Sequence, residues 1–439
     1  MKPIVFLLFF TVILGRVGFS QTFDKSKLDL YLDNLEQRDK FMGSIAISQN
    51  GKLIYTKAVG YTNLANKTKA DVQSKYRIGS ISKTFTTVLI LKAVELHKLA
   101  LSQTIADYFP ALPNAEKITI QHLLQHRSGI HNFTDNQDYV SWSAQHKTQQ
   151  QLLDIIIKSG SDFEPGTKGE YSNSNFLLLT FILEKTFKKP YSLLLKEYIT
   201  IPLGLKNTYA GGKINSGNKE AYSYSYKGGW QLEPETDMSI PLGAGAVVST
   251  PTDITKFSDA LFNGRLVSNA HLELMRTVQD GFGSGLFSVP FYDKVGFGHN
   301  GGIDGFSSTF SHFQDGDVSF ALTCNGSNFP NNTIAIAILS AVYNKPYEIP
   351  DFSVYEVQAE DLDQYLGTYS STQIPLKITI TKDNNTLIAQ ASGQSSFPLT
   401  PSDKDKFKFE QADIILEFNP ADETAILKQG GGLFNFKKE

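Results

Sequence analysis

The sequence predicts an α+β protein, an antiparallel sheet with helices packed on it, followed by a small all-β barrel. Three observations carry this. Long apolar helical stretches and a hairpin occupy the first part of the chain. After Val295 the apolar period switches to two. Beyond Pro350 short strands recur between turn residues with no helical period. At 439 residues, 41% hydrophobic and 19% charged, the chain has ordinary globular composition and the mass of two or three domains.

The N-terminus comes first. Lys2 precedes an apolar run over residues 4–14 broken only by Thr11, and Gly18 and Ser20 then stand three and one residues before a cut ahead of Gln21. That is the pattern of a signal peptide over residues 1–20. The run is shorter than the about 20 apolar residues that span a bilayer. The expectation is export, periplasmic or secreted, with no transmembrane anchor left after cleavage.

Residues 24–40 follow as a helix with Leu28, Leu30, Tyr31 and Leu35 on an apolar stripe, then strands at 43–48 and 53–61. Gln49-Asn50-Gly51 is a hairpin turn between them. Residues 81–97 and 175–187 are helices apolar nearly all round, so both are buried. Thr250-Pro251-Thr252-Asp253 reads as an N-cap, a first-turn Pro and a capping carboxylate ahead of a helix to 262. Residues 306–313 and 318–324 pair as strands across Asp315-Gly316-Asp317. Cys324, the single cysteine, falls on the apolar face of the second, as a buried structural thiol. Strands at 376–381, 386–390, 406–409, 414–418, 425–429 and 434–437 make the terminal barrel. The domain organisation is therefore residues 21–347, a linker over 348–360, and a barrel over 361–439.

Lys+Arg 41 against Asp+Glu 44 gives a net charge of −3 with no long block of one sign, which excludes the basic footprint of a nucleic-acid binder. His122, His126 and His131 could gather a metal ion, but position 123 is Leu, where a zincin needs its Glu. Neither a metal nor a cofactor is expected. No phosphate loop and no Gly-x-Ser-x-Gly elbow is present.

The chemistry points to Ser80-Ile81-Ser82-Lys83. Residues three apart on a helix share a face, so a first-turn serine and a lysine one turn on can touch. A neutral amine could take the serine's proton, and a charged one could polarise another base. The helix N-terminus adds backbone N–H groups where an oxyanion would form. A chain this long contains roughly two such spacings by chance. The second, Ser216-Gly217-Asn218-Lys219, lies in a loop with no helix to align the pair.

Arg77-Ile78-Gly79-Ser80-Ile81-Ser82-Lys83-Thr84-Phe85-Thr86 resembles the nucleophile motif of the penicillin-recognising serine hydrolases. The branch is that of class C β-lactamases, D-alanyl-D-alanine carboxypeptidases, D-aminopeptidases and related esterases. Tyr171-Ser172-Asn173 resembles the branch's Tyr-x-Asn motif, and His299-Asn300-Gly301-Gly302 its third motif. Lesser matches cover residues 118–130 and 243–253, and the likeness spans roughly residues 25–345. It implies a β-lactamase/transpeptidase-like fold with an all-helical lobe beside the sheet. The terminal strands, with Tyr365-Leu366-Gly367-Thr368-Tyr369 and Gly430-Gly431-Gly432, resemble the lipocalin-like β modules often appended to such enzymes.

The resemblance implies that Ser80 is acylated, that Lys83 hydrogen-bonds it, and that Tyr171, its phenol lowered by that cation, acts as base and then acid. Asn173 would orient the substrate, His299 and Gly301 would line it, and the N–H groups of Ser80 and Gly302 would form the oxyanion hole. The expected activity is hydrolysis of an ester or amide, such as a D-residue peptide, on a small-molecule, peptide or cell-wall peptide substrate. His299 stands where class C β-lactamases usually have Lys, so it holds a substrate carboxylate less firmly. The alternatives are a β-lactamase and a catalytically silent penicillin- or wall-binding protein on the same fold.

Overall fold

The computed structural model describes residues 23–352, 355, 357–429 and 432–439. The expected signal peptide, and Gly430 and Gly431, lie outside the described residues.

Chain order gives α1 (Lys25–Gln37), β1 (Phe41–Gln49), β2 (Lys52–Val59), α2 (Ser82–Glu95), α3 (Asn173–Phe187), α4 (Leu242–Gly245) and α5 (Pro251–Phe262). These are followed by β3 (Phe287–Phe291), β4 (Lys294–Ile303), β5 (Phe306–Phe313), β6 (Val318–Ser327) and α6 (Asn331–Val342). The main sheet is antiparallel and six-stranded, in the order β3-β4-β5-β6-β1-β2. Asn50 and Gly51 both take positive φ at the β1–β2 turn, as a two-residue hairpin loop requires.

Leu28, Tyr31, Leu32 and Leu35 of α1 pack with Ile334 and Ile338 of α6 against Ile45, Ile47, Phe320 and Leu322 on one side of this sheet. A larger core carries the helical lobe, in which α2 and α3 are buried nearly all round, from Ile81 to Leu91 and from Phe176 to Leu183. Among the described residues no helix is long and apolar enough to cross a membrane. Cys324 is buried and free, as expected.

Three short strands, Tyr76–Arg77, Val247–Ser249 and Tyr209–Ala210, pair beside the lobe. They hold the segment that enters α2 and the segment that leaves α4. Buried Arg77 adds to the join, pairing with Asp304 at 2.7 Å and Glu235 at 2.8 Å and donating to the Gly212 and Thr236 carbonyls.

The C-terminal strands are β7 (Gly367–Ser370), β8 (Lys377–Asp383), β9 (Thr386–Ala391), β10 (Phe397–Asp403), β11 (Lys406–Phe409), β12 (Ile414–Asn419), β13 (Thr424–Gln429) and β14 (Gly432–Lys438). They form a closed antiparallel barrel, β14 returning to β7 through Tyr369–Lys438 and Ser370–Lys437. Closure removes the unpaired edges that an open sheet would leave. Tyr365, Tyr369, Phe407 and Phe418 pack ring to ring inside it.

Candidate active site

Ser80 sits in a single turn of 3₁₀ helix, Gly79–Ile81, that runs directly into α2. The chain can make this turn because Gly79 takes φ +51°, a region costly for residues with a Cβ. It also needs glycine for room, since a Cβ there would lie 2.7 Å from the backbone nitrogen of Gly302 on β4. The main chains of Gly79 and Gly302 are thus in direct contact, which sets β4 beside the residue that precedes Ser80. Gly301 faces the other way, its missing Cβ pointing at the Ile78 carbonyl.

Around Ser80 Oγ stand Lys83 Nζ at 2.9 Å and the Tyr171 hydroxyl, which donates to it at 2.7 Å. Lys83 Nζ also donates to Asn173 Oδ1 at 2.8 Å and to the Ala244 carbonyl at 2.7 Å. Lys83 is completely buried, and Ser80, Tyr171 and Asn173 are half-buried. Helix α3 begins at Asn173, two residues earlier than the apolar pattern predicts. Asn173 is held by a loop in turn, its N–H donating to Asn132 Oδ1 at 2.9 Å and its Nδ2 to Thr134 Oγ1 at 3.0 Å.

Burial holds the Lys83 amine well below the ordinary ammonium range. The shift of the Tyr171 phenol runs opposite to the expected lowering. Burial pushes its phenol up to about 12, with the Ser80 hydrogen bond pulling weakly downward. Its own burial outweighs that hydrogen bond.

His299 lies buried on β4, as the third motif requires, and its Nδ1 is 2.6 Å from the Asn300 carbonyl. A carbonyl only accepts, so Nδ1 carries the proton and Nε2 is a bare acceptor. Burial first, then Lys83, drive its pKa down to about 3. His126 stacks on Tyr171 with ring centres 4.5 Å apart and accepts the Ser172 N–H at 3.1 Å. Phe282 and Phe287 continue the aromatic wall to His299.

His122, His126 and His131 go separate ways: His122 caps a helix through the Thr119 N–H, His126 supports Tyr171, and His131 meets Asp162 at 3.0 Å. Among the described residues no cluster of His, Cys, Asp and Glu could hold a metal. Sequence reasoning missed His126, Asn132, Thr134 and the Ala244 carbonyl as parts of the site. The only signal was that His126 and Ala244 fall in the two lesser matching segments.

An activated serine beside an amine and a phenol, on this sheet-and-lobe fold, defines a serine hydrolase. Residues 32–343 match the family described as Beta-lactamase, and the chain belongs to that family. It is 25% identical to Penicillin-binding protein 4* of Bacillus subtilis over 91% of this chain and 95% of that one. It is 28% identical to the Teichoic acid D-alanine hydrolase of Staphylococcus aureus over 69% of this chain and 74% of that one. Among solved structures, the D-amino acid amidase of Ochrobactrum anthropi complexed with D-phenylalanine superposes with a TM-score of 0.65, at 27% identity. That match covers 73% of this chain and 98% of that one.

Proposed function

We propose that the protein is an exported hydrolase that cleaves an ester or amide of a D-residue through an acyl-enzyme on Ser80. The observation that carries this is the position of Ser80 Oγ between Lys83 Nζ and the Tyr171 hydroxyl. A neutral amine has two N–H groups and one lone pair. Asn173 Oδ1 and the Ala244 carbonyl can only accept, so they take both N–H groups. The lone pair is left facing Ser80.

In this reading Lys83 removes the Ser80 proton as Oγ attacks the substrate carbonyl carbon, and the backbone N–H groups of Ser80 and Gly302 receive the oxyanion. Tyr171 gives its proton to the leaving oxygen or nitrogen as that bond breaks, and the proton on Lys83 restores it. Water then attacks the acyl group by the same route in reverse. The second Nδ2 hydrogen of Asn173 is placed for the acyl part of the substrate.

His299 supports the choice of substrate. Its Nε2 presents a lone pair, which repels a carboxylate and accepts from an amine or amide N–H. The site therefore suits D-aminoacyl esters and amides better than β-lactams or peptides ending in a carboxylate. The D-configuration rests on likeness to a D-amino acid amidase and a D-alanine hydrolase. A cut after Ser20, a hydrolase unit over residues 21–347, a linker over 348–360 and a barrel over 361–439 complete the reading.

Intact-mass measurement after exposure to a fluorophosphonate tests the nucleophile. One adduct is expected on the wild type and none on Ser80→Ala; an adduct on both rejects Ser80. Turnover of D-alanyl p-nitroanilide beside benzylpenicillin tests the substrate class, and faster penicillin hydrolysis rejects it. Secreted protein should begin at Gln21.

A further inference from the structure

We propose that Thr134 is a positioning residue of this reaction, acting through the carboxamide of Asn173. The inference rests on the reading of Ser80 and Lys83 given above. Asn173 touches Lys83 through Oδ1 alone, and a carboxamide held by a single hydrogen bond can still rock about its broad Cβ–Cγ torsion. Thr134 supplies the second point, accepting from Nδ2 at 3.0 Å. Two points set the amide plane. They fix which lone pair of Oδ1 meets the Lys83 N–H, and they aim the remaining Nδ2 hydrogen at the substrate.

The loop that carries Thr134 is fastened to the start of α3. Ser174 Oγ donates to the His131 carbonyl at 2.6 Å and accepts the Phe133 N–H at 3.1 Å. Asn132 accepts the Asn173 N–H, so the main chain and the side chain of Asn173 are tied to one loop. Phe133 anchors that loop, buried with its ring against Tyr139 and Trp142. The threonine hydroxyl is therefore presented by a rigid support, which a positioning contact requires.

Thr134→Val keeps the shape and removes the contact, whereas Thr134→Ser keeps the hydroxyl. For D-alanyl p-nitroanilide, Thr134→Val should lower kcat/KM about tenfold, the worth of one well-placed hydrogen bond. Thr134→Ser should stay within about twofold of wild type. Fluorophosphonate labelling of Ser80 makes no use of the Asn173 Nδ2 hydrogen, and the Asn173 Oδ1–Lys83 contact remains in both variants, so its rate should hold and the melting temperature should not move. In an Asn173→Ala background Thr134→Val should have no further effect, because its route to the reaction is already gone.

An unchanged kcat/KM for Thr134→Val overturns the proposal. So does the same tenfold loss with and without Asn173, or a loss that Thr134→Ser does not rescue. Slower labelling and a lower melting temperature in Thr134→Val would make Thr134 a structural residue of the loop. Labelling that persists in Ser80→Ala would instead sink the underlying reading, so the two failures are separable.

Discussion

Replacing Lys83 with Met separates the two protonation states that the site could use. Methionine keeps the length and most of the volume of the side chain, so the packing around α2 survives. Three polar contacts are lost, to Ser80 Oγ, Asn173 Oδ1 and the Ala244 carbonyl. Each contributes about 0.5–1.5 kcal/mol net. Opposing this, burial disfavours the charged form of the amine, so the folded pKa lies below the unfolded one. The sign follows from proton counts. Between the depressed folded pKa and the unfolded value of about 10.4 the unfolded chain holds one proton more, so wild-type stability rises with pH by about 1.4 kcal/mol per unit. Lys83→Met lacks this slope, and every other titrating group is shared and cancels. The assay is urea unfolding of both proteins at pH 7, 8 and 9. Tryptophan fluorescence follows it, since both tryptophans, Trp142 and Trp230, lie outside the barrel. The stability difference should move in favour of the wild type by about 1.4 kcal/mol at each step, while Lys83→Met loses at least about 10³-fold in turnover. Parallel stability profiles would mean that Lys83 is charged throughout, and the lone-pair argument for Ser80 would fall.

Ser80→Ala should abolish turnover with unfolding free energy within about 1–2 kcal/mol of wild type, and more than a tenth of activity remaining rejects the assignment. Tyr171→Phe leaves the ring on His126 and removes the hydroxyl beside Ser80 Oγ; turnover should fall about 100-fold or more, checked by steady-state kinetics. With Tyr171 at about 12, the wild-type pH–rate profile should show no alkaline loss up to pH 10, and a rise with the phenolate would return the base role to Tyr171. Gly79→Ala forces a Cβ into a left-handed backbone and toward Gly302; it should cost about 1–3 kcal/mol of stability and slow fluorophosphonate labelling, both measurable on the purified variant.

What could be read from the sequence follows from how local each signal is. Ser80 and Lys83 are joined by helix spacing, and the long buried helices announce themselves through apolar residues on every face. Tyr171 and Asn173 are some ninety residues away, and no local rule ties them to Ser80; only the motif order did. The titration of Tyr171 runs the other way because it depends on the burial of its own phenol, which a sequence does not show. The Ala244 carbonyl leaves no side-chain signature at all, and Thr134 looks like any loop threonine. In the barrel no strand is expected from the sequence at Phe397–Asp403, and Pro398 and Pro401 lie inside that segment. Proline gives no N–H to a ladder, so it argues against a strand. The strand accommodates Pro401 with a shift of register between it and Asp403.

The Ala244 carbonyl has a consequence for how the site can change. Ser80, Tyr171, Asn173 and Lys83 can each be deleted by a single codon, but an acceptor supplied by the main chain survives any substitution that leaves α4 in place. Its heritability belongs to the path of the backbone, which Gly243 and Gly245 on either side let run close to α2, α3 and Gly79. Drift at the site would therefore exhaust the side chains first, leaving a descendant that has lost catalysis but still presents the Ala244 carbonyl where the amine was held.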